Sequence, residues 1–409
     1  MSMLTILADS NITHLHDYFN EQVLQHPIKV IAMAGREIDA AIIDKYQPDA
    51  LLVRSVTKVN ADLLANNHSI KYVGSATIGT DHVDQDYLLQ RAIYFTNAGG
   101  CSKHSVAQYV LTAIFALRPE YWNQAHLSHL AISQAALPSQ AALPSQATLT
   151  SQATLTSQAT SVKLGIIGLG NIGSTLASYA LDIGWQVLGY DPLIPKSEIN
   201  NASFEQVLSE SDVISLHVPL TKVMDSQYPT YHLIDHAALA KIPSHTLLIN
   251  TARGPVINEA DLLHSLQHTE SNQDQRDIVL DVFEHEPYVS AVLLDKLAIA
   301  TPHIAGYTLE GKLRGTQIIF DHFLKVFGTE GTKQIKVKKA YLMDQLLPEN
   351  PYHWSQLKQA HQKLSQFYDI KADDGLLRSC INEQAQAVLG ADFDSLRKNY
   401  NLRREWLFQ

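Results

Sequence analysis

The chain has 409 residues, 45% of them hydrophobic and 18% charged, enough for two to three domains that each bury a core. Acidic residues outnumber basic ones, 41 against 31, for a net charge of −10, which argues against the clustered cations of a nucleic-acid binder. Its two cysteines, Cys101 and Cys380, lie far apart and fit neither a disulfide framework nor a zinc cluster, which suits a reducing compartment. The opening MSMLTILADS has no basic segment ahead of a long apolar run, so no signal peptide is expected. The most apolar stretch, from Tyr109 to Leu117, is about half the length of a membrane span, and a cytoplasmic protein without membrane contact is expected. The 19 histidines scatter through polar contexts without metal-ligand spacing, so no metal is expected.

From the N-terminus, short aliphatic runs alternate with amphipathic stretches: LTIL near Leu4, IKVIAM near Ile28, ALLV at Ala50, KYVG at Lys71 and IYFT at Ile93. This alternation predicts βαβ units and a parallel sheet. Ser102 to Leu117, free of Gly and Pro, predicts a long helix leading out of it. A hexapeptide then repeats from Ser133 to Ser161 as SQAALP, SQAALP, SQATLT, SQATLT and a partial SQATS. With one Leu per full unit it buries too little to offset backbone entropy, so a solvated insertion is expected. The alternation resumes with VKLGIIG at Val162, WQVLGY at Trp185, DVISLHV at Asp212, HTLLIN at His245 and DIVLDVF at Asp277, a second doubly wound lobe. Leu309 to Phe327 predicts a second long helix, and after Gly328 no strand alternation is legible.

Chemistry first shows in Gly168-Leu169-Gly170-Asn171-Ile172-Gly173. These residues follow the strand VKLGII and open a helix with Ile172, Leu176, Ala180 and Ile183 on one face. Gly168 suits a tight turn, Gly170 a close approach of backbone to pyrophosphate, and Gly173 close packing of helix on strand. Asp191 ends the next strand, where a carboxylate bonds a ribose diol and repels a 2′-phosphate, so NAD is the expected cofactor.

Three motifs follow at strand ends: Asn250-Thr251-Ala252-Arg253-Gly254, then Asp281-Val282-Phe283-Glu284-His285-Glu286-Pro287, then Thr301-Pro302-His303-Ile304-Ala305-Gly306. An Arg at such a place can grip a carboxylate bidentately. A His facing a carboxylate suits general acid/base work, because the anion stabilises the imidazolium.

In that order, the four motifs resemble the D-isomer-specific 2-hydroxyacid dehydrogenases. The resemblance implies an α/β chain of two doubly wound, Rossmann- or flavodoxin-like lobes with parallel sheets, plus a small C-terminal α+β dimerisation region. Residues 1–102 with 303–328 would bind substrate, 103–302 would bind NAD with the repeat 133–161 inserted, and 329–409 would dimerise. Gly168, Gly170, Asn171, Ile172, Gly173, Asp191, Thr251, Ala252, Arg253, Asp281 and Gly306 would bind NAD, with Asp281 at the nicotinamide amide. Arg253 would also hold the substrate carboxylate, His303 would exchange the hydroxyl proton, and Glu286 would partner the histidine. Glu284, two residues away, is the rival partner.

Leu52 to Asn60 (LVRSVTKVN), Gly74 to Asp84 (GSATIGTDHVD), His303 to Lys312 (HIAGYTLEGK) and Leu396 to Tyr400 (LRKNY) narrow the resemblance to one branch of that family. This branch oxidises a phosphorylated hydroxy acid, 4-phospho-D-erythronate, toward pyridoxal phosphate. By that resemblance Ser55, Thr77 and Tyr307 would touch substrate. Arg54 is a candidate phosphate anchor and, equally, a structural ion-pair partner. A homodimer is implied, although the chain ends soon after Arg403-Arg404-Glu405-Trp406, which reads as a shortened dimerisation region. The competing readings are another 2-hydroxyacid such as 3-phosphoglycerate, and a non-catalytic NAD-sensing protein akin to a corepressor.

Overall fold

The computed structural model describes residues 3–122, 161–267, 276–328, 342–359 and 367–407; the hexapeptide repeat up to Thr160 lies outside them. The first sheet consists of β1 (Leu4–Asp9), β2 (Ile28–Met33), β3 (Ala50–Val53), β4 (Tyr72–Ser75) and β5 (Tyr94–Asn97). All its pairs are parallel, in the order β2-β1-β3-β4-β5. Strands β3 and β4 are buried at every position, in keeping with the apolar run ALLV of β3, whereas the edge strand β2 is half-buried and partly exposed.

The second sheet takes β6 (Lys163–Ile167), β7 (Gln186–Tyr190), β8 (Val213–Leu216), β9 (Leu247–Asn250) and β10 (Ile278–Leu280). After the short β11 (Val289–Ser290), β12 (Ile299–Ala300) completes it in the order β12-β10-β9-β8-β6-β7. The order reverses between β6 and β8, and such a switch point opens a crevice at the carboxyl ends of the strands.

Two long helices join the lobes. The Lys103–Leu117 helix is buried at every residue from Ser105 to Phe115, as expected of a helix apolar all round. It packs Val110 and Ile114 with Leu176 and Tyr179 of the Asn171–Asp182 helix in the core of the second lobe. The amphipathic Leu309–Phe327 helix starts at Thr308, whose hydroxyl accepts from Gly311 N, and returns to the first lobe. There it buries Leu313, Phe320, Phe323 and Phe327 against Leu4, Ile6, Phe19 and Tyr72.

The C-terminal region is α+β, as expected, although no alternation after Gly328 made its strands legible. Strands β13 (Ile381–Asn382) and β14 (Ala387–Val388) form an antiparallel sheet with β11. Two-residue strands are too short to leave a periodic signature. Leu377 of the Ile370–Ser379 helix and Phe393 of the Gly390–Lys398 helix join the core of the second lobe with Leu293 and Leu294. The end of the chain ties both long helices together. Glu405, 3% exposed, accepts from Ser105, Thr308 and Arg314, and Arg404 Nε donates to Glu310 at 2.7 Å. Among the described residues no helix is long and apolar enough to cross a membrane.

Candidate active site

A cleft of about 800 Å³ is lined from both lobes and from the C-terminal region. Of the residues singled out in the sequence, Arg54, Ser55, Thr77, Asn171, Ile172, Thr251, Ala252, Arg253, Asp281, His303, Gly306 and Tyr307 line it. Glu286 stands behind His303, while Gly168, Gly170, Gly173 and Asp191 shape the turns at the carboxyl ends of β6 and β7.

The glycine motif serves two masters. Gly168 has φ +90°, a left-handed conformation, and a side chain on Gly173 would run into the carbonyl oxygen of Gly168. Both are therefore required by the fold itself. Gly170 is different: a Cβ there meets nothing within 4 Å, so no protein atom demands a glycine. Gly170 begins the Asn171–Asp182 helix with no side-chain cap, leaving its first-turn amides facing an open cradle suited to a pyrophosphate. Asp191 Oδ2 accepts from Leu169 N at 2.9 Å, which fixes its carboxylate against the same loop. The residues present therefore fit a dinucleotide.

His303 has φ 56° in a turn held from below by Asp281. The Asp281 carboxylate accepts from Thr301 Oγ1 at 2.6 Å, Ile304 N at 2.8 Å and Ala305 N at 2.9 Å, and Asp281 is 1% exposed. Burial pushes its carboxyl up to about 6, only partly offset by His303 and these donors. Arg403 braces the turn from the other side, Nη2 donating to Ile304 O at 3.2 Å and Ala305 O at 2.8 Å.

Geometry separates the two glutamates. Glu286 Oε2 lies 2.9 Å from His303 Nδ1, and its Oε1 accepts from Phe283 N at 2.9 Å. Burial raises the Glu286 carboxyl, but the facing His303 and these hydrogen bonds outweigh it and hold the group below the ordinary carboxylate value. Glu284 turns away: its Oε1 lies 2.7 Å from His232 Nε2 and its Oε2 accepts from Glu259 N at 3.1 Å.

Across the cleft, Arg253 Nε and Nη2 donate to Asp81 Oδ2 at 3.2 and 3.1 Å, an ion pair bridging the lobes. Nη1 donates to Ala252 O at 2.7 Å, so the guanidinium is held from both sides. Gly79 makes room for it, since a Cβ there would collide with Arg253 Nη2. Thr77 Oγ1 lies 2.9 Å from Ser75 Oγ, at the mouth of β4.

Several residues escaped the sequence reading. Asp81 and Gly79 lie inside the quoted GSATIGTDHVD motif, and Lys312 and Arg397 lie inside HIAGYTLEGK and LRKNY, yet nothing local marks them as cleft residues. His217, half-buried just after β8 and lining the cleft, is pushed down to about 3 by desolvation; its Nε2 lies 2.9 Å from Ser215 Oγ, while among the described residues its Nδ1 has no partner.

Comparison with known proteins adds an independent finding. A family described as D-isomer specific 2-hydroxyacid dehydrogenase, NAD binding domain, matches residues 129–305, and a domain of unknown function matches 348–407. The chain is 61% identical over 406 residues to an erythronate-4-phosphate dehydrogenase of Psychrobacter sp. (strain PRwf-1), covering 99% of this chain and 100% of that one. It is 42% identical over 407 residues to the erythronate-4-phosphate dehydrogenase of Acinetobacter baumannii (strain AYE), covering 98% of each. Among solved structures, holo D-mandelate dehydrogenase of Rhodotorula graminis superposes with a TM-score of 0.60 at 24% identity, over 83% of this chain and 99% of that one. That last likeness speaks for the fold alone.

Proposed function

The chain belongs to the D-isomer-specific 2-hydroxyacid dehydrogenase family, and from that membership we propose that its cleft oxidises 4-phospho-D-erythronate to 2-oxo-3-hydroxy-4-phosphobutanoate with NAD, a step toward pyridoxal phosphate. The observation that carries the reading is the His303–Glu286 pair at 2.9 Å, opening on the same cleft as Arg253. Bound at Gly170 and Asp191, with Thr251, Ala252 and Gly306 alongside, NAD would supply the acceptor for the C2 hydride. Arg253 binds the C1 carboxylate, exchanging Asp81 for the substrate anion. Neutral His303 takes the proton of the C2 hydroxyl through Nε2, because Nδ1 is committed to Glu286. The Glu286 anion stabilises the imidazolium as it forms, and Asp281 and Arg403 hold the turn that aims the ring. Ser55, Thr77 and Tyr307 contact the rest of the substrate from the first lobe.

In this reading residues 1–102 and 303–328 form the substrate lobe and 103–302 the cofactor lobe, in a cytoplasmic homodimer; the dimer rests on the resemblance of the C-terminal region and is tested by light scattering. Following NADH absorbance with a panel of 2-hydroxyacids, including 3-phosphoglycerate, tests the substrate. Turnover confined to 4-phospho-D-erythronate and abolished in His303→Ala is expected. Tight NAD binding without turnover of any acid would favour an NAD-sensing protein.

A further inference from the structure

Three basic side chains meet in the cleft, two from the first lobe and one from the C-terminal region. Arg54 follows β3, Lys312 stands in the first turns of the Leu309–Phe327 helix, and Arg397 ends the Gly390–Lys398 helix. Tyr307 lies between the last two, its ring centroid 3.6 Å from Lys312 Nζ and 5.9 Å from Arg397 Cζ. Among the described residues no carboxylate lies within 4.0 Å of Arg54 or Lys312. Arg397 has Asp394 at 3.9 Å, but the other oxygen of that carboxylate is held by Arg36 at 2.5 Å. Among the described residues Arg397 Nε is buried without a partner, although the guanidinium also bonds Tyr307 and faces Glu286.

Asp394 and Glu286 beside Arg397 and Asp9 near Lys312 offset these like charges only in part, and a bound anion would relieve the remaining repulsion. We propose that Arg54, Lys312 and Arg397 form the subsite for the phosphate ester of the substrate, so that the C-terminal region completes the active site of its own chain. This rests on the phospho-acid reading above. Burial and the cations of Arg54 and Arg397 push the Lys312 ammonium down to about 6, against the weaker opposing pull of Cys101 and the buried Asp9. A phosphate dianion reverses that balance, and the planar guanidinium of Arg397 offers it paired donors. The subsite also gives Arg54 a function that the sequence alone left open.

The test uses the full-length protein with NAD bound. Inorganic phosphate is titrated by calorimetry into wild type, Lys312→Met and Arg397→Gln, and KM and kcat for 4-phospho-D-erythronate are measured on the same samples. Each variant is expected to weaken phosphate binding and raise KM roughly ten- to hundredfold, the size of a lost charge-assisted hydrogen bond. Arg397→Lys should recover part of the loss, and Lys312→Met leaves the C-terminal packing untouched should Arg397→Gln fold poorly. Unchanged phosphate affinity in a folded Lys312→Met variant, or a loss confined to kcat, overturns the proposal. If wild type binds phosphate, the variants do not, and 4-phospho-D-erythronate is not oxidised, the subsite stands and the substrate reading falls. Absence of phosphate binding by wild type overturns the subsite itself.

Discussion

Glu286→Gln removes the charge that faces His303. With its Oε1 still accepting from Phe283 N, Gln turns its amide donor toward Nδ1, so the counter-anion of the forming imidazolium is lost and the ring is held in the tautomer with its proton on Nε2. Glu286 is only 23% exposed on its side chain, so water screens the pair little. A hydrogen bond to a charged group contributes about 1.5–3 kcal/mol, and each ~1.4 kcal/mol is tenfold in rate, so kcat should fall by at least about ten- to 150-fold, with the wrong tautomer adding to the loss. NAD affinity, read by fluorescence quenching, should stay within about twofold, because neither His303 nor Glu286 comes within 4 Å of a Cβ at Gly170. Initial rates of NADH formation measure the effect. A kcat within about threefold of wild type would refute the claim that this carboxylate assists the proton transfer. Glu284→Gln is the matched control: it touches His232 and the Glu259 amide, so it should cost stability of about 1 kcal/mol and leave kcat nearly unchanged.

The two inner glycines of the cofactor turn should part company. Gly170→Ala fills a cradle open on the protein side, so NAD affinity should drop by about tenfold or more with little change in melting temperature. Gly173→Ala meets the Gly168 carbonyl and should destabilise the protein by about 1–3 kcal/mol, so equal melting temperatures for the two variants would contradict this division. Gly79→Ala pushes the Arg253 guanidinium aside, and KM for the hydroxy acid should rise while NAD binding holds; an unchanged KM would remove Gly79 from the site. Asp281, raised from 3.8 to about 6, keeps a proton in the folded state that the unfolded chain releases, so its contribution to stability is fully present below about pH 4 and is lost as pH rises through 6. The change amounts to about 3 kcal/mol, and denaturant midpoints of wild type and Asp281→Asn, compared across roughly pH 4 to 6.5, should diverge by that slope; parallel curves would count against it. Glu286, depressed in the fold, gives the opposite slope, but it is present in both proteins and cancels.

Both lobes were legible because strands buried on two faces read as nearly continuous apolar runs, as ALLV and LLI do, spaced by amphipathic stretches. The candidate site was legible where its residues sit at the ends of those strands and meet in one cleft: Arg253 after β9, Asp281 after β10 and His303 after β12. The choice between Glu284 and Glu286 was not, because both stand in an irregular turn where no periodicity fixes the direction of a side chain. Their orientations are decided by partners remote in sequence, Glu259 for one and His303 for the other. The same reasoning explains Gly79, whose requirement for a bare Cα is set by an arginine that pairs with Asp81 across 172 positions. It also explains Lys312 and Arg397: a helix ending in basic residues is ordinary capping when seen alone. Only folding carries that helix end onto Tyr307, four residues after His303, and turns a surface-like charge into part of the cleft. The net charge of −10 therefore says little about the cleft, whose lining gathers Arg54, Arg253, Lys312 and Arg397 over long sequence separations.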